Sequence, residues 1–210
     1  MVGLEIRMQK QVHLTTGGES MKKPWLIFAG LCSVALSIVL FCVIFGSYTS
    51  MLRSKNRINA GKDLMVAACR DQLGLIPELV SRATQTISPE KISQIEEDTK
   101  QIQAILTRFQ ASDAPISPDL VAAFEDTQAR LAKRMDSLTA AMGKDHSLST
   151  EMADLYLKTI YAARRYNKEA AYFTNRKTVF PGFLTASWFN LDHLAFPLID
   201  VTCFAPWGLK

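Results

Sequence analysis

Histidine and cysteine are scarce in this 210-residue chain, and glycine-rich phosphate motifs are missing from it. Its three histidines, His13, His146 and His193, lie far apart, with no i, i+4 pair and no carboxylate-histidine motif, so the spacing that builds a metal site on a helix is missing. Cys32 and Cys42 fall inside an apolar run, while Cys69 and Cys203 are distant from one another and lack metal-ligand spacing. Those last two read either as small apolar residues or as a disulfide pair, and they leave the redox compartment open. The glycines form neither a Walker loop nor a dinucleotide fingerprint. Asp192, His193 and Cys203 have the residue types of a nucleophilic set, yet no spacing rule joins them. We therefore expect no catalytic residues, no cofactor-binding residues, no metal site and no enzymatic turnover.

Charge of one sign is also scarce. The formal net charge is +4, and setting aside the four cations and two acids ahead of Arg53 leaves only +2 for the rest of the chain. That balance gives no electrostatic reason to expect a nucleic-acid partner. Period-two alternation of apolar and polar residues is missing as well, so no strand competes for any segment.

What the chain does have is a run of about 21 uncharged, mostly apolar residues, Trp25 to Phe45, interrupted only by Gly30, Ser33 and Ser37. At 1.5 Å rise per residue such a run matches the ~30 Å hydrocarbon core of a bilayer, where helix satisfies every backbone group internally. A cleaved signal peptide would carry a shorter apolar region and a clean small-residue site, and Gly46-Ser47-Tyr48-Thr49 does not supply one. Neither Cys32 nor Cys42 follows the small residue that lipoprotein processing requires. We read an uncleaved anchor over residues 24–48. The charges on its two sides are tied, with Arg7, Lys10, Lys22 and Lys23 before it and Arg53, Lys55, Arg57 and Lys62 after it. Residues 1–23 read as a short tail; those ahead of Met21 lack apolar periodicity and are either part of it or upstream of a start at Met21.

Beyond the run, four stretches place apolar residues three and four apart, as helices packed side by side require. The first grows out of the anchor, as a stalk, with Ile58, Met65, Cys69, Ile76, Val80 and Ile87 on one side. The second carries Ile92, Ile95, Thr99, Ile102, Leu106 and Phe109, and the third Leu120, Phe124, Leu131, Met135, Leu138 and Met142. The fourth, about Ser149 to Lys177, carries Met152, Leu155, Thr159, Ala162, Tyr166, Ala170 and Phe173. Ser88-Pro89-Glu90 and Ser117-Pro118-Asp119 each supply a capping hydroxyl, a proline at the first helical position and an acid at the positive helix end. Gly143 suits a left-handed cap, and Ser147 or Ser149 a new helix start. Glu96 with Lys100 and Asp126 with Arg130 are spaced as solvent-facing ion pairs. Pro77 breaks the first stripe, and a kink is expected between Leu73 and Pro77. The predicted fold is all-α: one N-terminal transmembrane helix continuing into an antiparallel four-helix bundle over residues 49–178, then an aromatic, proline-rich segment over 179–210.

Two motifs carry a family resemblance. Leu75-Ile76-Pro77-Glu78-Leu79-Val80 resembles the LIPNLV signature of the LemA family of bacterial membrane-anchored helical proteins. Arg164-Arg165-Tyr166-Asn167, Phe173, Phe180-Pro181-Gly182, Leu184, Ala186 and Phe189 are similar in order and spacing to that family's RRYN and FP-x-N-x-x-A-x-x-F ending. The likeness covers roughly Ser47 to Leu191. It departs where Gly74 and Glu78 replace the usual Asp and Asn, and where Tyr156-Leu157-Lys158 replaces Thr-Glu-Asn-Arg, so the chain resembles a divergent member. The resemblance implies an N-terminal anchor in the bacterial inner membrane with its N-terminus cytoplasmic, a long-helix bundle outside the cytoplasm, and no established biochemical activity. Some relatives are magnetosome-membrane proteins involved in membrane remodelling.

The end of the fourth helix collects Arg164, Arg165, Lys168, Arg176 and Lys177, and aromatic residues follow at Phe180, Phe183, Trp188, Phe189, Phe196, Phe204 and Trp207. The cations suit the negative end of their helix, and alternating helix directions return that end toward the bilayer. Arg176, Lys177, Phe183, Trp188, Phe189 and Trp207 are thus candidates for contact with the bilayer or a membrane partner; the competing reading has the aromatics closing the end of the bundle. The expected function is a single-pass, non-catalytic scaffold or adaptor with a lipid bilayer and an unidentified membrane or extracytoplasmic protein as partners, self-association included. A ligand-sensing helical domain and a membrane-remodelling protein are the alternatives.

Overall fold

The computed structural model describes residues 22–83, 87–111, 115–142 and 146–204, with side chains described from Pro24 onward except at 141, 142 and 146–149. They form an all-helical chain: α1 (Lys22–Gly74), α2 (Ile76–Ala83), α3 (Pro89–Ala111), α4 (Pro118–Met142), α5 (His146–Thr178) and α6 (Gly182–Trp188), then an extended segment that ends in a 3-10 turn at Val201–Cys203. No strand occurs among the described residues. The chain falls into two compact units, Met1–Gly46 and Ser47–Lys210.

In the first unit the described residues belong to α1, the one helix in the described chain long and apolar enough to cross a membrane. Trp25, Phe28, Leu36 and Phe41 are each about two-thirds exposed or more, at 69, 67, 70 and 68%. A helix whose apolar side chains are nearly all bare is stable in hydrocarbon and costly in water.

The second unit buries most of the residues that the three-and-four spacing singles out, with Val80, Ile87, Ile92, Thr99 and Leu120 partly buried and the Met142 side chain outside the described residues. Ile58, Met65, Cys69, Ile95, Ile102, Leu106, Phe109, Phe124, Leu131, Met135 and Leu138 are buried in one core, joined from α5 by Met152, Ala162, Tyr166, Ala170 and Phe173, and Leu155 and Thr159 of that stripe are buried as well. Phe109 of α3 packs on Phe124 of α4 with ring centroids 5.4 Å apart. Each such side chain contributes roughly 1.5–3 kcal/mol by leaving water.

Helix starts follow the proline signals. Both α3 and α4 begin on proline, at Pro89 and Pro118, and Ser117 Oγ accepts the Leu120 N–H at 3.3 Å as an N-cap. α5 begins at His146, ahead of the expected Ser149, and Gly143 lies outside the described residues. The kink expected before Pro77 is a full break. α1 stops at Gly74, Leu75 turns with its N–H on Gln72 O at 3.3 Å, and Pro77 becomes the second residue of α2, where its missing N–H costs nothing. Ile76 and Leu79 are buried there, Leu75 and Val80 pack partly buried against the core, and Glu78 pairs with Arg82 at 2.6 Å.

Contacts along two helix pairs run in opposite directions. Ser50, Arg57 and Gly61 of α1 meet Arg176, Glu169 and Tyr166 of α5, in descending order. Gln94, Gln101 and Phe109 of α3 meet Arg134, Arg130 and Phe124 of α4 in the same sense. Asp98, on the seam of α3, is buried and ion-paired with Arg134 at 2.7 Å and with Arg130 at 3.5 Å. Arg130 therefore reaches across to α3 in place of the Asp126 partner that i, i+4 spacing suggested, because a buried carboxylate demands compensation more strongly than an exposed one.

Candidate contact surface

The C-terminal third of the second unit splits the expected aromatic cluster into a buried half and an exposed half. α5 ends at Thr178, and the chain folds back sharply through Phe180-Pro181, a cis peptide bond, into α6. Only glycine fits at position 182, since a Cβ there would stand 1.9 Å from the Arg176 carbonyl oxygen. α6 closes with a Schellman motif. Asn190 takes the left-handed conformation at φ 52°, its N–H bonds Ser187 O at 3.4 Å, and the Leu191 N–H bonds Ala186 O at 2.8 Å. Ala186 and Leu191, the apolar pair that accompanies this motif, are both buried.

From Leu191 the extended segment is tied to α5 and α4 along its length. Lys177 Nζ donates to the carbonyls of Asp192 and Leu194, each at 2.7 Å. Tyr166 Oη donates to Pro197 O at 3.0 Å. The Asn167 side chain donates to Ile199 O at 2.7 Å and accepts the Ile199 N–H at 2.9 Å, pairing with that backbone as a neighbouring strand would. Glu125 of α4 accepts the Asp200 N–H at 2.6 Å. Between these ties Phe196 meets Phe173 edge-on at 5.2 Å, and Phe204 packs on Phe124 at 5.8 Å. Leu194, Phe196, Ile199, Cys203 and Phe204 are all buried. Asp200 caps the final turn through the Thr202 N–H, which holds its carboxyl below the usual range.

The exposed half comprises Val179, Phe180, Phe183, Trp188 and Phe189, on the turn and α6. Phe180 and Phe183 lie 6.4 Å apart, and Phe189 stacks on Tyr48 at 4.2 Å. α6 itself is two-faced: Gly182, Thr185 and Ala186 are buried, Phe183 and Trp188 exposed. Trp207 lies outside the described residues.

The two cations expected at the contact are engaged elsewhere. Arg176 donates to Ser50 and lies 5.1 Å over the Tyr172 ring, while Lys177, besides its two carbonyls, stands 5.9 Å from the Phe173 ring centroid. Arg164 and Arg165 are exposed. The motif residues divide the work between them. Tyr166 and Asn167 hold the extended segment, Pro181 and Gly182 shape the turn, and Phe180 faces outward.

The two cysteines of the second unit are held protonated. Burial, with the Glu125 and Asp200 carboxylates nearby, pushes the Cys203 thiol up to about 12, and burial pushes Cys69 up still further. Both are free, protonated thiols at neutral pH, the opposite of an activated nucleophile. Asp192 and His193 are exposed on the segment that Lys177 holds. Among the described residues no three His, Cys, Asp or Glu side chains converge as a metal site would. Short-range spacing missed α6 altogether; Asn190 followed by the apolar Leu191 is the signal that marks its end. Compared with known proteins, the chain matches no family model, no curated protein and no solved structure.

Proposed function

We propose that this chain is a single-pass, membrane-anchored helical scaffold or adaptor of the LemA type that works by holding a partner rather than by chemical turnover. One observation carries the reading: α1 exposes nearly all of its apolar run from Trp25 to Phe45, while the second unit fills its core with its own side chains. In the proposed arrangement the second unit closes as an antiparallel four-helix bundle of α1, α3, α4 and α5 on the outer face of a bacterial inner membrane, the N-terminus being cytoplasmic. The opposite runs of α1 against α5 and α3 against α4 support that closure. The LIPELV and RRYN segments support the family assignment, with Tyr166 and Asn167 holding the extended segment in place.

Crosslinking in intact membranes, followed by detergent purification, tests the scaffold. A reproducible protein partner, a second copy of the chain included, is the expected result. Recovery of the chain alone, together with thermal stabilisation by a small molecule, would replace the scaffold with a ligand sensor.

A further inference from the structure

The turn into α6 leaves a set of apolar side chains bare, and its place along the chain bears on what would cover them. Val179, Phe180, Phe183, Trp188 and Phe189 are 58, 63, 47, 64 and 41% exposed, although the segment immediately downstream buries Phe196 and Phe204. The fold thus covers the aromatics it can and leaves this set bare, a grouping that in water favours association. Phe189 stacks on Tyr48, and Arg176, three residues before Val179, reaches Ser50. Tyr48 follows Phe45, the last residue of the apolar run, by three residues, and three residues reach at most about 11 Å. The aromatic turn is therefore held against the first residues of the chain beyond the run. Tryptophan and phenylalanine on the outward side of a short two-faced helix suit the headgroup layer of a bilayer, with apolar rings toward the acyl chains and the indole N–H in water.

We propose that the turn and α6, through Val179, Phe180, Phe183, Trp188 and Phe189, insert into the interfacial layer of the bilayer as a second attachment point, recognising its apolar boundary and not the charge of its headgroups. Arg176 is turned to Ser50 and Tyr172, and Lys177 to two carbonyls, so these two side chains hold protein groups in place of headgroup phosphates. The proposal rests on the reading of Trp25–Phe45 as a membrane span.

The test uses the full chain with Trp25→Phe and Trp207→Phe, which leaves Trp188 as the sole tryptophan, in phosphatidylcholine vesicles containing lipids brominated at different depths. Trp188 emission should shift to the blue and be quenched most by the shallowest bromines. Added phosphatidylglycerol or raised salt should leave the quenching unchanged, and Phe180→Ser with Phe183→Ser, both at exposed positions, should reduce it. Failure of quenching at every depth, in vesicles from which alkaline carbonate does not extract the protein, overturns the docking and leaves the span intact. Extraction by carbonate overturns the span and the docking with it. Quenching that appears only with phosphatidylglycerol, or Trp188 shielded from aqueous iodide without lipid quenching, also contradicts the proposal, the first in favour of an electrostatic contact and the second of a protein one.

Discussion

Asn167 and Ile199 exchange two hydrogen bonds, the side-chain amide donating to the carbonyl at 2.7 Å and its oxygen accepting the N–H at 2.9 Å. An extended segment with no strand beside it needs partners for its backbone, and here one side chain supplies both.

Asn167→Ala should leave the Ile199 N–H and C=O without that partner and cost about 1–3 kcal/mol. Asn167→Asp keeps an acceptor for the Ile199 N–H but sets a carboxylate oxygen against the Ile199 carbonyl, so it should cost at least as much as the alanine change. Tyr166→Phe removes a single bond, to Pro197 O, at about 0.5–1.5 kcal/mol. Urea melting in detergent measures the ranking, and limited proteolysis should show cleavage gained between Leu191 and Phe204 in the two Asn167 variants first.

Gly182→Ala and Gly74→Ala form a matched pair. A Cβ at 182 would meet the Arg176 carbonyl at 1.9 Å, whereas at 74 nothing stands within 4 Å. The first substitution should lower the melting temperature by several degrees, equivalent to roughly 1–3 kcal/mol, through displacement of α6. The second should be close to neutral.

The ion pair between Asp98 and Arg134 predicts an asymmetry. Asp98 is buried while Arg134 is 32% exposed at its side chain, so deleting the arginine strands a charge and deleting the acid releases one to water. Arg134→Ala should therefore destabilise more than Asp98→Ala, by up to about 3 kcal/mol, with Arg130 softening the loss. Equal costs in the two variants would show that the carboxylate is not effectively desolvated.

Alkaline pH should weaken the second unit. The Cys203 thiol is held protonated up to about 12 against an ordinary value of 9.0, chiefly by burial, and Cys69 is shifted in the same direction. Above 9.0 the unfolded chain releases these protons and the folded chain keeps them, so stability falls as pH rises, by about 1.4 kcal/mol per pH unit for each thiol. The urea midpoint should drop between neutral pH and pH values above the ordinary thiol value. In a Cys69→Ala, Cys203→Ala variant the drop should be smaller.

What the sequence reveals ahead of the structure depends on the range of the forces involved. The seams from Ile95 to Phe109 and from Met152 to Phe173 could be read because helix burial repeats every three to four residues. Pro89 and Pro118 could be read as helix starts because proline's constraint is local, though the same residue at 77 ended one helix and opened another. The candidate surface was harder. Which aromatics face inward depends on where the chain after Leu191 crosses α5, and that path is fixed by Tyr166, Asn167 and Lys177 acting on backbone 15 to 32 residues away. No periodicity reports such contacts. The same kind of long-range bond engages Lys177, which the sequence placed among the cations suited to the negative helix end.

Every functional conclusion above depends on Trp25–Phe45 crossing the membrane once, with the second unit outside the cytoplasm. Labelling of Asn56→Cys by a membrane-impermeant maleimide in intact cells, in a chain whose Cys32 and Cys42 are replaced by alanine, probes both parts at once. Asn56 is exposed on α1 just beyond the run, while the remaining Cys69 and Cys203 are buried. The expected result is labelling without permeabilisation, on a protein that alkaline carbonate leaves in the membrane. Labelling only after the inner membrane is opened would contradict it.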